Sequence, residues 1–313
     1  MGADETGEKG YIMPNTDSYG YHCNRSSRAN TEYADFRFYH TDRRNHRVAH
    51  EAGSALHMGF EVETDNYQGS YNGWHFVSEG RENAIRFLSE NYDGLAKPTD
   101  DGSLDNGFEI VSAPMTLSAH QATEWKALFD KVTECGGHSH DTTTCGFHVH
   151  VSRAALGNDD KAKALCIGKI VTLLSKFQRN FSCLARREPH YRWSQPIPTQ
   201  YRPTDTDGTR AIIRKANALQ SFQGLGVHDD NRYYVLNLQN VNTIEFRLFK
   251  GTLNADTFYA TLALVDGIVR WCKQHTTVEL HSVTFDEIIE WIADEKLTNY
   301  WSTRRASLNR YSD

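Results

Sequence analysis

Four stretches of this chain alternate between apolar residues and groups that ionise, a pattern that few backbone conformations can satisfy. They are LHMGFEVET (56–64), GFEIVSAP (107–114), GFHVHVS (146–152) and NTIEFRLFKG (242–251). Successive side chains of a strand point to opposite faces, so a period of two sorts each stretch into an apolar and a polar side. Leu56, Met58, Phe60 and Val62 oppose Glu61 and Glu63, and Phe108 and Ile110 oppose Glu109. Phe147, Val149 and Val151 oppose His148 and His150, and Ile244, Phe246 and Leu248 oppose Glu245 and Arg247. One such strand is an ordinary amphipathic strand. Four of them, with only carboxylates, imidazoles and a guanidinium on the polar side, form a pattern with a chemical consequence. Clustered carboxylates raise one another's pKa and oppose folding unless cations lie between them. The expectation is one sheet whose outer, exposed face gathers these groups, with Asp101 of KPTDDGSL eight residues ahead of Glu109. Hard oxygen donors with an imidazole suit Mg²⁺ or Mn²⁺ better than a structural zinc.

Between the strands, expected over 56–64, 107–113, 146–152, 233–239 and 242–249, the spacing changes to that of helices. Those are expected near 78–91, 118–134, 158–184, 209–222, 254–275 and 284–294, with Ser118 and the pair Gly136-Gly137 punctuating the second. Strands and helices in this order make an α+β domain over 53–313, preceded by a polar arm, 1–52, without sustained periodicity. The aperiodic insert 185–208 mixes proline with aromatic and basic residues, and loops this long in compact domains are usually functional. It is a candidate lid, with Arg187, Arg192 and Arg202 available to an anionic substrate.

Charge argues against a polyanionic partner: 34 Lys and Arg face 40 Asp and Glu, a net of -6, so nucleic acid is not indicated. Six scattered cysteines do not make a disulfide scaffold, and no apolar run supports export or membrane spanning, so a cytoplasmic protein is expected. Cys135, His138, His140, Cys145, His148 and His150 crowd into sixteen residues, but their spacing is not that of a finger or ribbon. Phosphate-loop, dinucleotide and nucleophile-elbow motifs are missing, so a nucleotide site would have to be built from metal and arginines.

Taken in order, GFEVET, DDGSLDNGFEIVSAP, CGFHVHVS and RYYVLNLQNVNTIEFRLFKGTL resemble the signature of the amidoligases. These are ATP-dependent carboxylate–amine ligases of the glutamine synthetase fold, found in bacteria and their phages. The resemblance spans roughly 56–275 and implies a curved, mainly antiparallel sheet forming a catalytic funnel, with helices packed on its outer side. It implies that Glu63, Asp101 and Glu109 ligate one divalent ion, and Glu61, His148 and Glu245 another beside the nucleotide phosphates. Arg247 and Arg232 resemble the family's phosphate-binding arginines, and His150 a second histidine near the nucleotide. The implied cofactors are ATP with Mg²⁺ or Mn²⁺, and the implied partners a small-molecule or peptide carboxylate and an amine, with a modified nucleobase left open. Asp101 departs from the glutamate of glutamine synthetase itself, and no counterpart of that enzyme's flap base is evident, which leaves the amine-activating group open. Rings of subunits occur in glutamine synthetases, so a homo-oligomer is a further expectation. A metal-binding structural protein that keeps the fold, or an ATP-dependent small-molecule kinase, would share these residues.

Overall fold

The alternating stretches do become strands of one sheet. A computed structural model describes residues 56–72, 75–189, 193–197, 205–211, 233–240 and 242–311. The 1–52 arm, residues 212–222 of one expected helix, and Arg192, Arg202 and Arg232 lie outside the described residues. The strands are β1 (Met58–Thr64), β2 (Ser70–Asn72), β3 (His75–Val77), β4 (Ala96–Thr99), β5 (Phe108–Ser112), β6 (Gly146–Ser152), β7 (Leu236–Asn237) and β8 (Thr243–Lys250). Six of them form an open antiparallel sheet in the order β4-β5-β1-β6-β8-β7, and β2 and β3 make a separate hairpin.

The helices are α1 (Glu79–Asn91), α2 (Leu117–Ala122), α3 (Trp125–Glu134), α4 (Asp160–Lys176), α5 (Gln178–Ala185), α6 (Ala255–Gln274), α7 (Thr277–Ser282), α8 (Phe285–Ile292) and α9 (Glu295–Arg305). Two expected helices are each divided. The 118–134 stretch breaks at Thr123–Glu124, with Thr116 rather than Ser118 accepting from the backbone at its start; the 158–184 stretch breaks at Phe177. Gly136, at φ 86°, takes the left-handed conformation that ends α3, and the Gly137 N–H returns to Val132 O at 2.9 Å. Reciprocal capping boxes, Thr276 with Glu279 and Thr284 with Glu287, start α7 and α8.

The apolar side of the sheet packs on α6 through a cluster of rings. Phe258 lies 4.8 Å from Phe60, 5.3 Å from Phe147 and 5.0 Å from Phe129, centroid to centroid, while Trp125 meets Phe60 edge-on at 5.0 Å. All five are fully buried, so burial area and favourable ring geometry both hold sheet to helices here. Gly267 lets α8 come close, because a Cβ there would stand 2.4 Å from Ile292.

One register shift matters for the site. Phe147 pairs with Phe249, but Val149 pairs with Phe246, so β8 carries two residues, Arg247 and Leu248, opposite His148 alone. Such a bulge bends the strand and re-aims side chains. Phe249 therefore joins Phe147 on the apolar side, 6.0 Å away, in the place expected for Leu248.

Candidate active site

The register brings the ionisable residues into rows across neighbouring strands. Glu63 stands opposite Glu109, which in turn stands opposite Thr99; Glu61 stands opposite His148; and Gly59 and Glu245 flank His150. Gly59 puts no side chain beside His150, and the imidazole Nε2 reaches Glu61 Oε1 at 2.8 Å. His148 Nδ1 lies 3.1 Å from Glu61 Oε2, 3.7 Å from Glu245 Oε1 and 3.9 Å from Glu63 Oε1, at the centre of the group.

This side was expected to face solvent, and it does not. Glu61, Glu63, Glu109, His148, His150 and Glu245 are each between 1% and 5% exposed. The insert docks beside this face. Gln195 N–H donates to Tyr233 O at 2.6 Å, Val235 N–H to Gln195 O at 2.8 Å, and Arg247 N–H to Val235 O at 2.9 Å, so residues 193–197 are stitched to the β8 edge. Trp193 meets Tyr233 edge-on at 5.1 Å, and the Tyr233 ring lies 5.7 Å from the Arg247 guanidinium. From the same insert Arg187 Nη2 donates to Cys145 O at 2.8 Å. The described part of the insert, 185–189, 193–197 and 205–208, includes residues bonded to the 233–235 backbone and to Cys145.

Neutral groups hold the carboxylates in place. The Gly146 N–H donates to Glu63 Oε2 at 2.5 Å, Thr99 Oγ1 to Glu109 Oε2 at 3.1 Å, and the Asn237 and Asn240 carboxamides to Glu245 Oε2 at 2.8 and 3.3 Å. Thr243 Oγ1 lies 3.2 Å from His150 Nδ1. Gly146 has a second role, since a Cβ there would stand 2.7 Å from His148 Nε2.

Burial affects the acids unequally. Burial first, then the charges of Glu61, Asp101 and Glu63, push Glu109 well above the usual carboxylate range. Burial also raises Glu63, with Asp101 adding to it and His148 opposing. For Glu245 burial works in the same direction, but Arg247, His150 and His148 outweigh it and hold the carboxyl at about 2. Burial disfavours a charged His150, yet Glu61 and Glu245 raise it. Arg247 forms a very short ion pair with Glu245, and its buried Nε–H finds no acceptor among the described residues.

Two sets of side chains can each offer three ligand atoms within 4.8 Å of one another: Glu61, His148 and Glu245, and Glu63, Glu109 and His148. The first is the set implied for the nucleotide-side ion. In the second, His148 closes the group where Asp101 was implied. Asp101 is half-buried at the tip of the 100–107 loop, where Oδ1 accepts from Ser103 N–H at 2.6 Å, and it acts on Glu63 and Glu109 through space. His138 is exposed and paired with Asp141 at 2.7 Å, and His140 is exposed, so of the cysteine–histidine run His148 alone enters a candidate metal group among the described residues.

A sequence model of the family described as "Putative amidoligase enzyme" matches residues 24–269. The chain belongs to the amidoligase family. The match begins inside the segment read as a polar arm. No curated protein matches the chain. Two solved structures are similar to this amidoligase at low identity. One is described as "Apo GmaS without ligand", 15% identical, covering 84% of this chain and 69% of that one with a TM-score of 0.41. The other is described as "Crystal structure of novel glutamine synthase homolog", 11% identical, covering 85% and 70% with a TM-score of 0.39. No described helix of this amidoligase is long and apolar enough to cross a membrane, and the five described cysteines are unpaired.

Proposed function

We propose that this amidoligase joins a carboxylate to an amine in an ATP- and divalent-metal-dependent reaction that passes through an acyl phosphate. One observation carries the reading: four carboxylates, two imidazoles and an arginine from β1, β5, β6 and β8 converge on one buried side of a sheet. The donor set fits Mg²⁺ or Mn²⁺, being mostly carboxylate oxygen with one imidazole. The raised Glu63 and Glu109 fit as well, because a bound cation would remove the charge repulsion that their burial creates.

Glu61, His148 and Glu245 would hold one ion, and Glu63 and Glu109, with Asp101 beside them, a second. Bound there, such ions would supply charge neutralisation to the phosphate oxygens. The chain's own groups account for the rest. Arg247, fixed by Glu245 and covered by Tyr233, presents its unpartnered Nε–H for a phosphoryl oxygen. The low exposure of the four carboxylates and two imidazoles, each 5% or less, supports exclusion of water from an activated acyl group. A substrate carboxylate oxygen attacks the γ-phosphorus and ADP leaves; the amine nitrogen then attacks the acyl carbon, loses a proton and expels phosphate, leaving the amide. Arg232 is proposed as a second phosphate-binding arginine and His150 as a nucleotide-side group, both on the family resemblance. Assembly into a homo-oligomer is proposed on the same ground.

The test incubates the chain with Mg²⁺, ATP and pools of acids and amines, and follows ADP and product mass. ADP release that needs both organic partners, with a new amide mass, supports ligation. Release needing the acid alone indicates a kinase. No release by a chain that binds Mg²⁺ and ATP overturns the reading in favour of a structural role.

A further inference from the structure

The proposed mechanism leaves unused one fully buried acid. Asp65 follows β1 immediately, two residues after Glu63, and its carboxylate is shielded completely from solvent. Four donors converge on it. Oδ1 accepts from the N–H groups of Asn66 and Asn106, both at 2.9 Å, and Oδ2 from the Asp105 N–H at 3.1 Å and the Thr144 hydroxyl at 2.9 Å. Its backbone makes a two-way bridge with His138, N–H to O at 2.8 Å and O to N–H at 2.9 Å. A carboxylate so well satisfied is a strong local anchor.

What it anchors is informative. Asp105 and Asn106 belong to the 100–107 loop that carries Asp101. The rest of that loop is pinned with the same economy: Asn106 Nδ2 donates to Tyr67 O at 2.8 Å, Arg81 to Gly107 O at 3.0 Å and to Asp100 at 3.1 Å. Gly107 passes so close to β1 that a Cβ would overlap Thr64 O at 1.7 Å. Thr144 belongs to the other loop beside Glu63, and the next two residues supply the Cys145 carbonyl that holds Arg187 and the Gly146 N–H that holds Glu63. Both loops that shape this end of the site therefore meet at one carboxylate, which is in neither candidate metal group.

We propose that Asp65 is a positioning residue for the Glu63–Glu109 end of the site, setting where Asp101 and the Gly146 N–H stand relative to Glu63. The inference rests on the metal reading of the site and adds a residue to it. Asp65→Asn keeps the volume but turns one acceptor into a donor aimed at other donors, so the loops lose their common point.

The test counts Mn²⁺ bound to the full chain by the loss of the free-ion electron paramagnetic resonance signal, alongside the metal-free melting temperature. Wild type takes up two ions. Asp65→Asn keeps one at wild-type affinity and binds the other about 10–100-fold more weakly, the usual consequence of disturbing groups that orient metal ligands. Two ions bound as tightly as in wild type overturn the proposal, and so does an equal weakening of both, which would make Asp65 merely structural. Wild type binding no Mn²⁺ instead overturns the metal reading, and this proposal with it. Should Asp65→Asn fail to fold, Thr144→Val removes one donor only; about fivefold weaker binding of one ion is expected, and unchanged binding of both overturns the proposal.

Discussion

The two ends of the polar face have nearly the same carboxylate density and opposite electrostatics. At the β8 end, Glu245 is met by Arg247, His150, His148 and two carboxamides, and stays ionised down to about 2. At the β5 end, Glu109 is met by Thr99 and by other acids, and Glu63 by a single backbone N–H, with His148 and Arg247 acting on it through space. The comparison teaches that burial alone does not decide what a carboxylate can do. One end already has Arg247 and two imidazoles among its acids, so an ion held by Glu61, His148 and Glu245 would share an anionic phosphate with Arg247. The other has acids facing acids, so a divalent cation there would relieve more repulsion.

Arg247→Ala breaks the comparison most severely. Turnover should fall about 10²–10³-fold, as for other donors aimed at developing charge. Because Glu245 then lies buried without its guanidinium, unfolding should also become easier by about 3 kcal/mol, read from urea denaturation. The second effect would not occur at an exposed site, so an unchanged midpoint would contradict the burial. Glu109→Gln is the opposite case. It removes a strained charge, so the metal-free chain should melt about 2–4 °C higher, the shift expected for ~1 kcal/mol in a domain of this size, while its gain from Mn²⁺ shrinks. A lower melting point without metal would show that Glu109 is already neutralised.

The pH dependence separates the ends without mutation. Glu63 and Glu109 have folded-state pKa values above their unfolded ones, so ionising them costs more in the folded chain, and stability falls as pH rises above about 4.5. His150, also raised, contributes stability that is complete below its unfolded value near 6.5 and is lost as pH climbs through the folded one. Glu245 is depressed, so its contribution is present above 4.5 and disappears only as pH falls toward 2. Between pH 8 and 5.5 the first two effects act together: the metal-free chain should melt higher at pH 5.5, and the sign should reverse with millimolar Mn²⁺, whose ligands must be deprotonated. The smallest effect belongs to a helix cap that is in neither ligand group. Asn254 caps α6 by accepting from Thr257 N–H at 2.9 Å, so Asn254→Ala should cost about 1 kcal/mol and leave Mn²⁺ binding unaltered.

Much of this face was legible because a strand encodes its two sides locally. Parity alone separated Glu61, Glu63, Glu109, His148, His150, Glu245 and Arg247 from the apolar residues beside them. What parity cannot encode is what covers a face, and the face read as exposed is buried, with Arg187 of the distant insert close enough to act on Glu63 and Arg247. Register was equally hidden: the one-residue bulge that places Arg247 and Leu248 together opposite His148 has no signature in NTIEFRLFKG. β4 escaped notice because Pro98 argues against a strand, although an edge strand tolerates it, and with β4 went Thr99, which holds Glu109. The same strand puts Lys97 on the site's side of the sheet, where burial pushes its amine down to about 5. Asp65, just past the 56–64 strand, and Asn237, within the expected 233–239 strand, carry no sequence signal of their own, and hydrogen bonds give them their roles.

The most direct test is to locate the cations. Crystals grown with Mn²⁺ and a non-hydrolysable ATP analogue, measured at the manganese edge, should show one anomalous peak among Glu61, His148 and Glu245 and another against Glu63 and Glu109, with a phosphate oxygen near Arg247. A saturated chain with no manganese between these side chains would contradict the account.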